Sequence, residues 1–405
     1  MDVLVLDTVH GGKEIAAACR EAGHAVDEVD VYHGTTPEEM ERALHRDYSL
    51  VIAPVHLDPG HPLLARCRGP VITHHDAVRR LLGNHLPCPM IEITGARGKT
   101  TTAHALAHIL SGRGVLHTSA GTYAFPDKSL LWKKSITPAS VIPAARHAAR
   151  MPGWLVAEVS LGVTGAGDLA ILTSPETYPF AGGKKDAIRQ KAASARQAKR
   201  VLVAEGVTAD PENAVRVNDI ARCDGMQCTV AYDGRESTIE NPLFLLPPYR
   251  TPLMLAAAAA MMLHVSPAPL STFAALPGRM SLSSENGITI VDNSNSGTNA
   301  ETTLCAARYA RHCSGVHDLT LVIGQAEDDG AVCEGFAPDR IADAILKAEP
   351  SHVVWIGRYP EPGTGVSGLP EGKIDAICPN LAQGRAAALR MTKKGSIVLS
   401  VKTWR

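Results

Sequence analysis

One segment constrains this chain more than any other, the glycine-bounded turn Thr94-Gly95-Ala96-Arg97-Gly98-Lys99-Thr100-Thr101. The apolar stretch Met90 to Thr94 leads into the turn, and the helix-forming stretch Ala103 to Leu110 follows it. A strand, a glycine-rich turn and a helix in this order are typical of a phosphate-binding loop, because the turn amides and the helix N-terminus converge on the anion. The chain is therefore predicted to fold around a strand–loop–helix unit.

The residue types in the turn suit a nucleotide phosphate. Gly95 and Gly98 allow the tight backbone path that points successive amides at phosphate oxygens. Lys99 would neutralise the β- and γ-phosphates, and Thr100 would offer its hydroxyl to Mg²⁺. Only two residues separate the glycines, whereas the usual loop has four. We expect the nucleotide to be bound by Gly95, Ala96, Arg97, Gly98, Lys99, Thr100 and Thr101.

Length and composition describe an ordinary globular protein. A chain of 405 residues has room for about 2.7 domains of typical size, so we expect two or three. Its 45% hydrophobic and 20% charged residues can bury a sizeable core, and the low aromatic content of 4% favours an α/β class. A net charge of −1 argues against nucleic acid or an anionic membrane as a partner. Any phosphate site must therefore be local.

No segment predicts a membrane span or a secretory signal. The longest apolar run, Leu253 to Leu263, has 11 residues, fewer than the roughly 18 that a span needs, so we predict a buried helix. The N-terminus, Met1 to Leu6, is a strand pattern without the features of a signal peptide, and we expect a cytoplasmic protein. Nine scattered cysteines without a Cys-x-x-Cys pair predict reduced thiols rather than a disulfide framework or a zinc site.

Short apolar stretches alternate with helix-like stretches, which predicts parallel sheets. Strands are expected at 3–6, 25–31, 50–53, 71–73, 90–94, 288–291, 319–323, 353–356 and 397–401, and helices at 15–22, 37–45, 103–110 and 339–346. Proline- and glycine-rich breaks at His85 to Pro89 and at Leu276 to Arg279 divide the chain. We therefore predict three domains, at 1–88, 89–277 and 278–405.

The phosphate loop resembles the T-G-x-x-G-K-T-T loop of the Mur ligase family, ATP-dependent enzymes that activate carboxylates. Further segments are similar to that family in the same order: Trp154 to Ser160, Ala170 to Ser174, Asp186 to Lys191, Pro277 to Arg279, Ile290 to Gly297 and Gly395 to Lys402. The resemblance runs from about residue 89 to the end. It implies a Rossmann-like substrate-binding domain, a central phosphate-loop ATPase domain and a Rossmann-like C-terminal ligase domain.

The resemblance also implies ATP and Mg²⁺ as cofactors. At the positions of Thr100 and Glu158 the family binds Mg²⁺, and at the position of Lys191 it has a lysine that is often carbamylated and helps to hold a second ion. The implied catalytic residues are Lys99, Glu158 and Lys191. The implied nucleotide contacts from the C-terminal domain are Arg279 and Asp292.

Plainer interpretations of two of these residues stay open. Glu158 could be a carboxylate at the sheet end that caps the next helix. Lys191 lies in a basic run with Lys184, Lys185, Arg189 and Arg196, which is typical of a solvated helix face.

Polar loops follow several strands at the edge where parallel sheets bind ligands. His10, His56 and His74 each lie just beyond a short strand of the first 88 residues, so together they predict a ligand face, although each alone could be a surface or capping residue. Ser119 and Thr137 lie in loops that match the acceptor side of the family, and such loops are also ordinary turns. We expect these five residues to face the substrate.

Three departures separate the chain from the peptide ligases of the family. Ser174-Pro175-Glu176 replaces an Asp-His pair, Pro247 to Pro252 replaces a Gly-x-His-Asn stretch near the adenine, and residues 1–88 lack a uridine-nucleotide pattern. This combination resembles the branch of the family in methanogenic archaea that closes the final ring of a nickel tetrapyrrole. It implies a tetrapyrrole carboxylate as substrate, ADP and phosphate as products, no amine, and a monomer or homodimer.

Two alternatives stay open. The first is an amide-forming ligase that acts on a peptide or folate-like substrate and depends on an amino acid. The second is a phosphate-loop nucleotide switch, which usually needs a strand ending in Asp, whereas the corresponding strand here ends in Glu158.

Overall fold

The computed structural model of the chain describes residues 1–32, 35–66, 68–84, 86–207, 214–326, 336–359, 369–370 and 372–403. Their contacts group them into two compact units, of which the first comprises residues 1–245 and 249–273 and the second comprises 246–248 and 274–405. The finer division into three domains stays a prediction. The break predicted around His85 falls partly outside the described residues, because His85 itself is among those left out.

The first unit begins with a four-stranded parallel sheet of strand order β2-β1-β3-β4. Its strands are β1 (Asp2–Leu6), β2 (Ala25–Val29), β3 (Leu50–Ala53) and β4 (Val71–Thr73). Its helices are α1 (Lys13–Glu21), α2 (Pro37–His45), α3 (Pro62–Ala65) and α4 (His74–Leu82), and a π-helical turn (Thr8–Gly12) joins β1 to α1. The strands and helices predicted for this part of the chain are confirmed.

Local sequence signals start the helices of this sheet. Thr36 accepts a hydrogen bond from the amide of Glu39, whose side chain accepts one from the Thr36 amide, and Thr73 and Asp76 make the same reciprocal pair at α4. Such capping boxes satisfy backbone donors that a helix leaves free at its first turn. They set α4 to begin directly where β4 ends.

The side chains of β1 alternate between two cores. Val3 and Val5 pack in a cluster with residues of the following sheet, among them Met90, whereas Leu4 and Leu6 pack on the opposite face. A parallel strand buried on both faces is apolar throughout, as this one is after Asp2. The shared cluster explains why residues 1–84 and the sheet that follows form one compact unit.

An eight-stranded sheet follows, of strand order β14-β13-β10-β5-β9-β6-β7-β8. Its strands are β5 (Met90–Thr94), β6 (Gly114–Thr118), β7 (Gly121–Phe125), β8 (Ser129–Trp132), β9 (Trp154–Glu158), β10 (Leu169–Leu172), β13 (Val201–Val203) and β14 (Ala214–Arg216). It is parallel from β14 to β6, and β7 and β8 add an antiparallel edge. Strand β5, which leads into the phosphate loop, is therefore central and buried.

Helices and two small sheets complete the first unit. The helices are α5 (Lys99–Ile109), α6 (Val141–Arg150), α7 (Ala187–Ala195), α8 (Val217–Ile220) and α9 (Pro247–Met262), with 3₁₀ turns at Pro138–Ser140, Pro242–Leu245 and Ala268–Thr272. The first two residues of α9 are grouped with the second unit. The small sheets pair β11 (Pro179–Phe180) with β12 (Lys185–Asp186), and β15 (Ala221–Asp224) with β16 (Gln227–Tyr232) and β17 (Arg235–Glu240). Helix α9 is buried from Leu253 to Met262, which confirms the predicted buried helix.

The second unit contains a six-stranded sheet of strand order β18-β19-β23-β20-β21-β22. Its elements are β18 (Ser281–Glu285), β19 (Ile288–Asp292), α10 (Ala300–Ser314), β20 (Leu319–Gln325), α11 (Pro338–Ala348), β21 (His352–Ile356), β22 (Ala376–Cys378), α12 (Leu381–Met391) and β23 (Ser396–Lys402). All pairs are parallel except the hairpin β18–β19. The predicted α/β alternation of this part is confirmed.

No helix among the described residues is long and apolar enough to cross a membrane.

The cysteines with free thiols in the described part of the chain are Cys19, Cys88, Cys223, Cys228, Cys305, Cys313 and Cys378. Cys67 and Cys333 lie outside the described residues.

Candidate functional site

The predicted phosphate loop connects β5 to α5. Gly95 and Gly98 have φ angles of 153° and 81°, which L side chains rarely adopt. A Cβ on Gly95 would lie 2.1 Å from Oγ1 of Thr173, the residue that follows β10. Glycine is therefore required at position 95 by both backbone conformation and space.

Three residues of the predicted site meet beside this loop. Oγ1 of Thr100 donates a hydrogen bond to Oε2 of Glu158 over 3.0 Å, and Nζ of Lys99 lies 3.7 Å from Oε1 of the same carboxylate. The Glu158 side chain is only 3% exposed. The Lys99 ammonium also donates to the Gly95 carbonyl oxygen over 3.0 Å. A cation, a hydroxyl and a buried carboxylate thus converge at the N-terminus of α5.

Ser119 lies at the same carboxylate. Its backbone amide donates to Oε2 of Glu158 over 3.3 Å. The structure therefore brings this predicted substrate residue to Glu158. Thr101 is buried in the first turn of α5, and its neighbours Ala96 and Arg97 form the turn itself.

Lys191 is buried in α7 rather than solvated. The residue is 1% exposed, its Nζ makes no hydrogen bond among the described residues, and that nitrogen lies 5.3 Å from the ring centre of Tyr178. Burial, and then the positive charge of Lys99, lower the pKa of Lys191 to about 8. The plainer interpretation of Lys191 as part of a solvated helix face is therefore wrong.

Two residues that follow β10 shape the loop and were given no role by the sequence. Oγ of Ser174 accepts hydrogen bonds from the amides of Ala96 over 3.0 Å and of Arg97 over 3.2 Å, and Thr173 donates to carbonyl oxygens of Thr94 and Arg97. These contacts cross between neighbouring strand ends. The position of Ser174 where the family has an Asp-His pair is the signal that pointed to this segment.

The end of β1 carries a second group of polar side chains. Asp7 is fully buried with a φ of 71°, and its Oδ1 accepts hydrogen bonds from the amides of Val9 and His10. Its Oδ2 lies 2.8 Å from Nδ1 of His10 and 3.5 Å from Nε2 of His56. Burial alone would raise the pKa of Asp7, but the adjacent His56, the His10 amide and the His10 imidazole outweigh it and hold the pKa at about 2. Asp7 is therefore a carboxylate at neutral pH.

A cavity of about 250 Å³ opens beside these residues. His10, His56, His74 and Thr137 all line it, and so does Ser160, two residues beyond Glu158. The cavity thus collects four of the five predicted substrate residues, and Ser119 is the exception. Asp7, which contacts His10 and His56, was not predicted from the sequence. The signal that could have found it is its position as an acidic residue directly after the apolar run of β1.

His74 and His75 are buried at the start of α4. Nε2 of His74 lies 2.9 Å from the Leu6 carbonyl oxygen, and Nε2 of His75 lies 3.0 Å from that of Ser160. Burial lowers the pKa of each imidazole to about 4, so both are neutral at pH 7. These bonds attach α4 to the end of β1 and to the segment after β9.

In the second unit, Arg279 and Asp292 lie at the same end of the β18–β19 hairpin. Asp292 pairs with Ser281, two residues beyond Arg279, and the Asp292 carboxylate accepts a hydrogen bond from the Ser294 amide over 3.0 Å. The Asn295 side chain donates to the Gly278 carbonyl oxygen over 2.7 Å, which fixes the loop after β19. The assignment of Arg279 and Asp292 to the nucleotide site stays a prediction.

One known protein is similar to this sequence over most of its length. A coenzyme F(430) synthetase from Methanosarcina acetivorans is 30% identical over 452 residues, an alignment that covers 91% of this chain and 93% of that relative. This chain belongs to the coenzyme F(430) synthetase family.

Other matches agree with membership of the coenzyme F(430) synthetase family. A coenzyme F(430) synthetase from Methanocaldococcus jannaschii is 26% identical over 221 residues, covering 48% of this chain and 50% of that relative. Residues 282–403 match the family described as "Coenzyme F430 synthetase CfbE, C-terminal domain". The predicted resemblance to this branch is confirmed.

Solved structures show that this member of the coenzyme F(430) synthetase family has the Mur ligase fold. A MurF-type ligase from Acinetobacter baumannii aligns with a TM-score of 0.58 at 15% identity, covering 89% of this chain and 88% of that one. A folylpolyglutamate synthase/dihydrofolate synthase from Yersinia pestis, complexed with AMPPNP and a Mn ion, aligns with a TM-score of 0.57 at 15% identity, covering 82% and 90%. A pseudomurein peptide ligase from Methanothermus fervidus gives 0.52 at 14%, covering 99% and 97%. The predicted Mur ligase-like α/β fold is confirmed.

Proposed function

We propose that this chain is an ATP-dependent ligase that closes the final carbocyclic ring of the nickel tetrapyrrole coenzyme F430, converting the open-ring seco acid and ATP into F430, ADP and phosphate. The observation that carries the proposal is the convergence of Lys99, Thr100 and Glu158 at the phosphate loop, in a chain whose relatives are named for this coenzyme. A free carboxylate is a poor electrophile, so ring closure at a propionate needs the activation that ATP supplies.

The first step would activate the propionate. A carboxylate oxygen of the substrate attacks the γ-phosphorus of ATP, the bond from that phosphorus to the bridging oxygen breaks, and ADP leaves with the electron pair. Lys99 and the amides of the glycine-bounded turn would neutralise charge on the transferred phosphoryl group. The hydrogen bond from Lys99 to Gly95 holds the ammonium over the loop before the nucleotide arrives.

The second step would form the carbon–carbon bond. A ring carbon gives up its proton to solvent and attacks the acyl carbon, phosphate leaves with the electron pair of the broken C–O bond, and a six-membered cyclic ketone results. The reaction is intramolecular, so no amine is required. Exclusion of water is essential at this stage, because water would hydrolyse the acyl phosphate.

The residues fit a divalent cation with hard oxygen ligands. Thr100 offers a hydroxyl and Glu158 a buried carboxylate, and Mg²⁺ prefers such oxygens while keeping several waters. Mg²⁺ bound there would neutralise phosphate charge. Lys191 suits a carbamate ligand, because its buried Nζ has no hydrogen-bond partner and its lowered pKa leaves much of the amine neutral near pH 8. The carbamate would convert a cation into an anionic oxygen ligand for a second ion.

The tetrapyrrole would bind on the side of the cavity. His10, His56, His74 and Thr137 line that cavity, and Ser160 connects it along the chain to Glu158. Ser119, whose amide contacts Glu158, would lie where the reacting carboxylate enters. This arrangement would put the propionate next to the phosphate loop while the macrocycle occupies the side of the four-stranded sheet.

The test combines the protein, ATP and Mg²⁺ with the nickel seco acid in one reaction, and with a muramyl or folyl acceptor plus an amino acid in another. We expect stoichiometric ADP and phosphate, together with a shift of the tetrapyrrole absorption, in the first reaction without any amine. Turnover only when an amino acid is present would contradict ring closure and establish the amide-forming alternative. ATP hydrolysis that no acceptor stimulates would instead support a nucleotide switch.

A further inference from the structure

Asp7, His10 and His56 bring three side chains that commonly bind metal ions close together, and hydrogen bonds do not use all of their polar atoms. The three side chains offer one carboxylate oxygen and two imidazole nitrogens that all lie within 4.8 Å of one another. Asp7 and His10 lie on the segment after β1, and His56 lies on the segment after β3. Nε2 of His56 is shielded from solvent yet makes no hydrogen bond among the described residues. This nitrogen lies 3.5 Å from Oδ2 of Asp7. A buried nitrogen that lacks a full hydrogen bond is costly, so an occupant that uses its lone pair would relieve that cost.

We propose that the Asp7–His10–His56 cluster coordinates a divalent transition-metal centre of the nickel class. Two imidazole nitrogens and a carboxylate oxygen are borderline ligands that suit Ni²⁺, Co²⁺ and Zn²⁺ better than Mg²⁺, which takes oxygen ligands. The cluster therefore differs in chemistry from the oxygen site at Thr100 and Glu158. It binds a different class of ion.

The two distances from Asp7 to the imidazoles are close to those between neighbouring ligands of one ion. Atoms bonded to an ion at about 2.1 Å lie roughly 3.0 to 3.4 Å apart at octahedral or tetrahedral angles. Oδ2 of Asp7 lies 2.8 Å from Nδ1 of His10 and 3.5 Å from Nε2 of His56. Small rotations of the two imidazoles would thus suffice for coordination, with loss of the His10 Nδ1 proton to solvent if that nitrogen binds.

Asp7 is fixed in place independently of any ion. The amides of Val9 and His10 donate to its Oδ1, and the Asp7 amide donates to the Val29 carbonyl oxygen over 2.8 Å. Its Oδ2 is left to face the two imidazoles. The unusual backbone conformation, with a φ of 71°, is a local cost that functional sites often retain.

The surroundings leave room for an ion that is part of a larger molecule. His10 and His56 line the cavity, the His10 side chain is 46% exposed, and Tyr32 stacks on the His56 ring with centroids 5.4 Å apart. Two sources can provide the metal: a free aqueous ion, or the nickel of a tetrapyrrole substrate. The second source rests on the proposed function, whereas the first does not.

The first experiment tests the cluster without any substrate. Chain without a polyhistidine tag is titrated with Co²⁺ in excess Mg²⁺, which saturates hard-oxygen sites, and binding is followed by calorimetry and by visible absorption. We expect one tight equivalent in the unmodified protein and at least about tenfold weaker binding in His10→Ala, His56→Ala and Asp7→Asn, a loss typical of altered ligand shells. His45→Ala, which removes an exposed histidine of the same sheet's α2, serves as the matched control and should bind as the unmodified protein does.

The second experiment distinguishes the two sources. Binding of the nickel seco acid and of its metal-free counterpart is measured without ATP, with the same variants and with circular dichroism as a check of folding. If the substrate's nickel is the occupant, the tetrapyrrole absorption changes on binding to the unmodified protein, and this change is lost in His10→Ala or His56→Ala. The unmodified protein then binds the metal-free acid at least about tenfold more weakly than the nickel acid, whereas the variants bind the two acids equally. If a free ion is the occupant, only the Co²⁺ titration depends on the cluster.

The proposal is overturned if the folded cluster variants bind Co²⁺ and the nickel tetrapyrrole as well as the unmodified protein does. It is also overturned if the unmodified protein binds Co²⁺ no better than the variants and shows no nickel-dependent tetrapyrrole binding. Neither experiment uses ATP, so both results are obtained independently of ADP formation. Intact Co²⁺ binding without ADP formation would remove the function and keep the metal site. ADP formation without cluster-dependent binding of either Co²⁺ or the nickel tetrapyrrole would keep the function and remove the metal site.

Discussion

At the residue scale, the proposed chemistry depends on the contact between two charged side chains from different elements. Lys99 begins α5 and Glu158 ends β9, and their charged atoms lie 3.7 Å apart with the carboxylate almost fully buried. Removal of either partner would leave the other charge without compensation where phosphate and cation must be balanced. Both residues should therefore be indispensable to phosphoryl transfer.

We predict that Lys99→Ala and Glu158→Ala each lower the rate of ADP formation by at least about 100-fold, the usual scale for losing one electrostatic contact to a reacting group. The rate is measured with saturating ATP, Mg²⁺ and seco acid. Lys394→Ala removes an exposed lysine of the second unit and should retain full activity. Near-normal rates in either of the first two variants would rule out the proposed site.

Lys191 should give the reaction a characteristic pH dependence. Its pKa is lowered from 10.5 to about 8, and only the neutral amine reacts with CO₂. The neutral fraction therefore rises from about a tenth at pH 7 to about nine tenths at pH 9. With limiting bicarbonate we expect the rate of ADP formation to rise across this range, with an apparent pKa near 8.

Lys191→Arg should lose this rise and at least about 90% of the activity, because a guanidinium stays protonated and forms no carbamate. Lys347→Arg, on the exposed face of α11, is the control. Nuclear magnetic resonance with ¹³C-bicarbonate should show a carbamate signal that only Lys191→Arg removes. An unchanged profile in that variant would mean that Lys191 is structural.

The residues that the sequence missed share one property, which is that each has at least one partner that is distant in the chain. Ser174 reaches the amides of Ala96 and Arg97 across 78 and 77 positions. Asp7 meets His56 only because β1 and β3 are neighbours. No local pattern encodes such meetings, whereas the glycines and the lysine of the phosphate loop are consecutive and so could be predicted.

At the scale of elements, the phosphate loop depends on the fit between one glycine and a neighbouring strand end. Gly95 combines a φ of 153° with a position where a Cβ would lie 2.1 Å from Thr173. Gly112 also has a positive φ, 77°, but a Cβ there would meet nothing within 4 Å. A substitution at Gly112 therefore tests backbone strain alone, whereas one at Gly95 tests backbone strain together with a steric clash.

We predict that Gly112→Ala costs about 1 kcal/mol of unfolding free energy, the scale of a non-glycine residue in this backbone region, and leaves the KM for ATP unchanged. Gly95→Ala should cost at least about 1 kcal/mol more and raise that KM at least tenfold, because the loop must move away from Thr173. Urea unfolding and steady-state kinetics measure the two quantities. Equal effects of both substitutions would contradict a role for the close approach.

Most parallel strands and their helices could be predicted because each carries its own signal. The apolar runs of β1, β5 and β20 are buried on both faces, and the capping boxes at Thr36 and Thr73 begin helices. Strand order could not be predicted in the same way. It depends on which runs pair, for example β10 between β5 and β13, and the apolar runs themselves do not name their partners.

At the scale of the whole molecule, α4 links two sheets of the first unit through two buried histidines. His74 bonds to the end of β1 and His75 to the segment after β9, and each has a pKa near 4 instead of the ordinary 6.5. In the unfolded chain these imidazoles bind protons at higher pH than in the folded chain. The stabilisation is therefore complete above about pH 6.5 and is lost as the pH falls toward 4.

We predict that the unfolding free energy falls by about 2 kcal/mol per histidine between pH 7.5 and pH 5. Urea unfolding at the two pH values should show a dependence smaller by about that amount in His75→Gln, which has no titrating ring. His45→Gln, at an exposed position on α2, should keep the full dependence. The same pH dependence in His75→Gln and in the unmodified chain would show that His75 does not couple protons to folding.

The sequence alone determined the features that are written in consecutive residues. These are the phosphate loop from Thr94 to Thr101, the α/β alternation, the buried helix α9 and the resemblance to Mur ligases. Hydrophobic periodicity and local backbone preferences act over a few residues, and so they can be recognised without knowing the fold.

Only the tertiary structure decided which distant side chains meet. It buried Lys191 without a hydrogen-bond partner, brought Ser174 to the loop amides, and assembled Asp7, His10 and His56 on one sheet edge. Burial and the charges that surround a group depend on strand order and on helix packing across the chain. The lowered pKa of Lys191 and the grouping of Asp7, His10 and His56 therefore arise only when the sheets are formed.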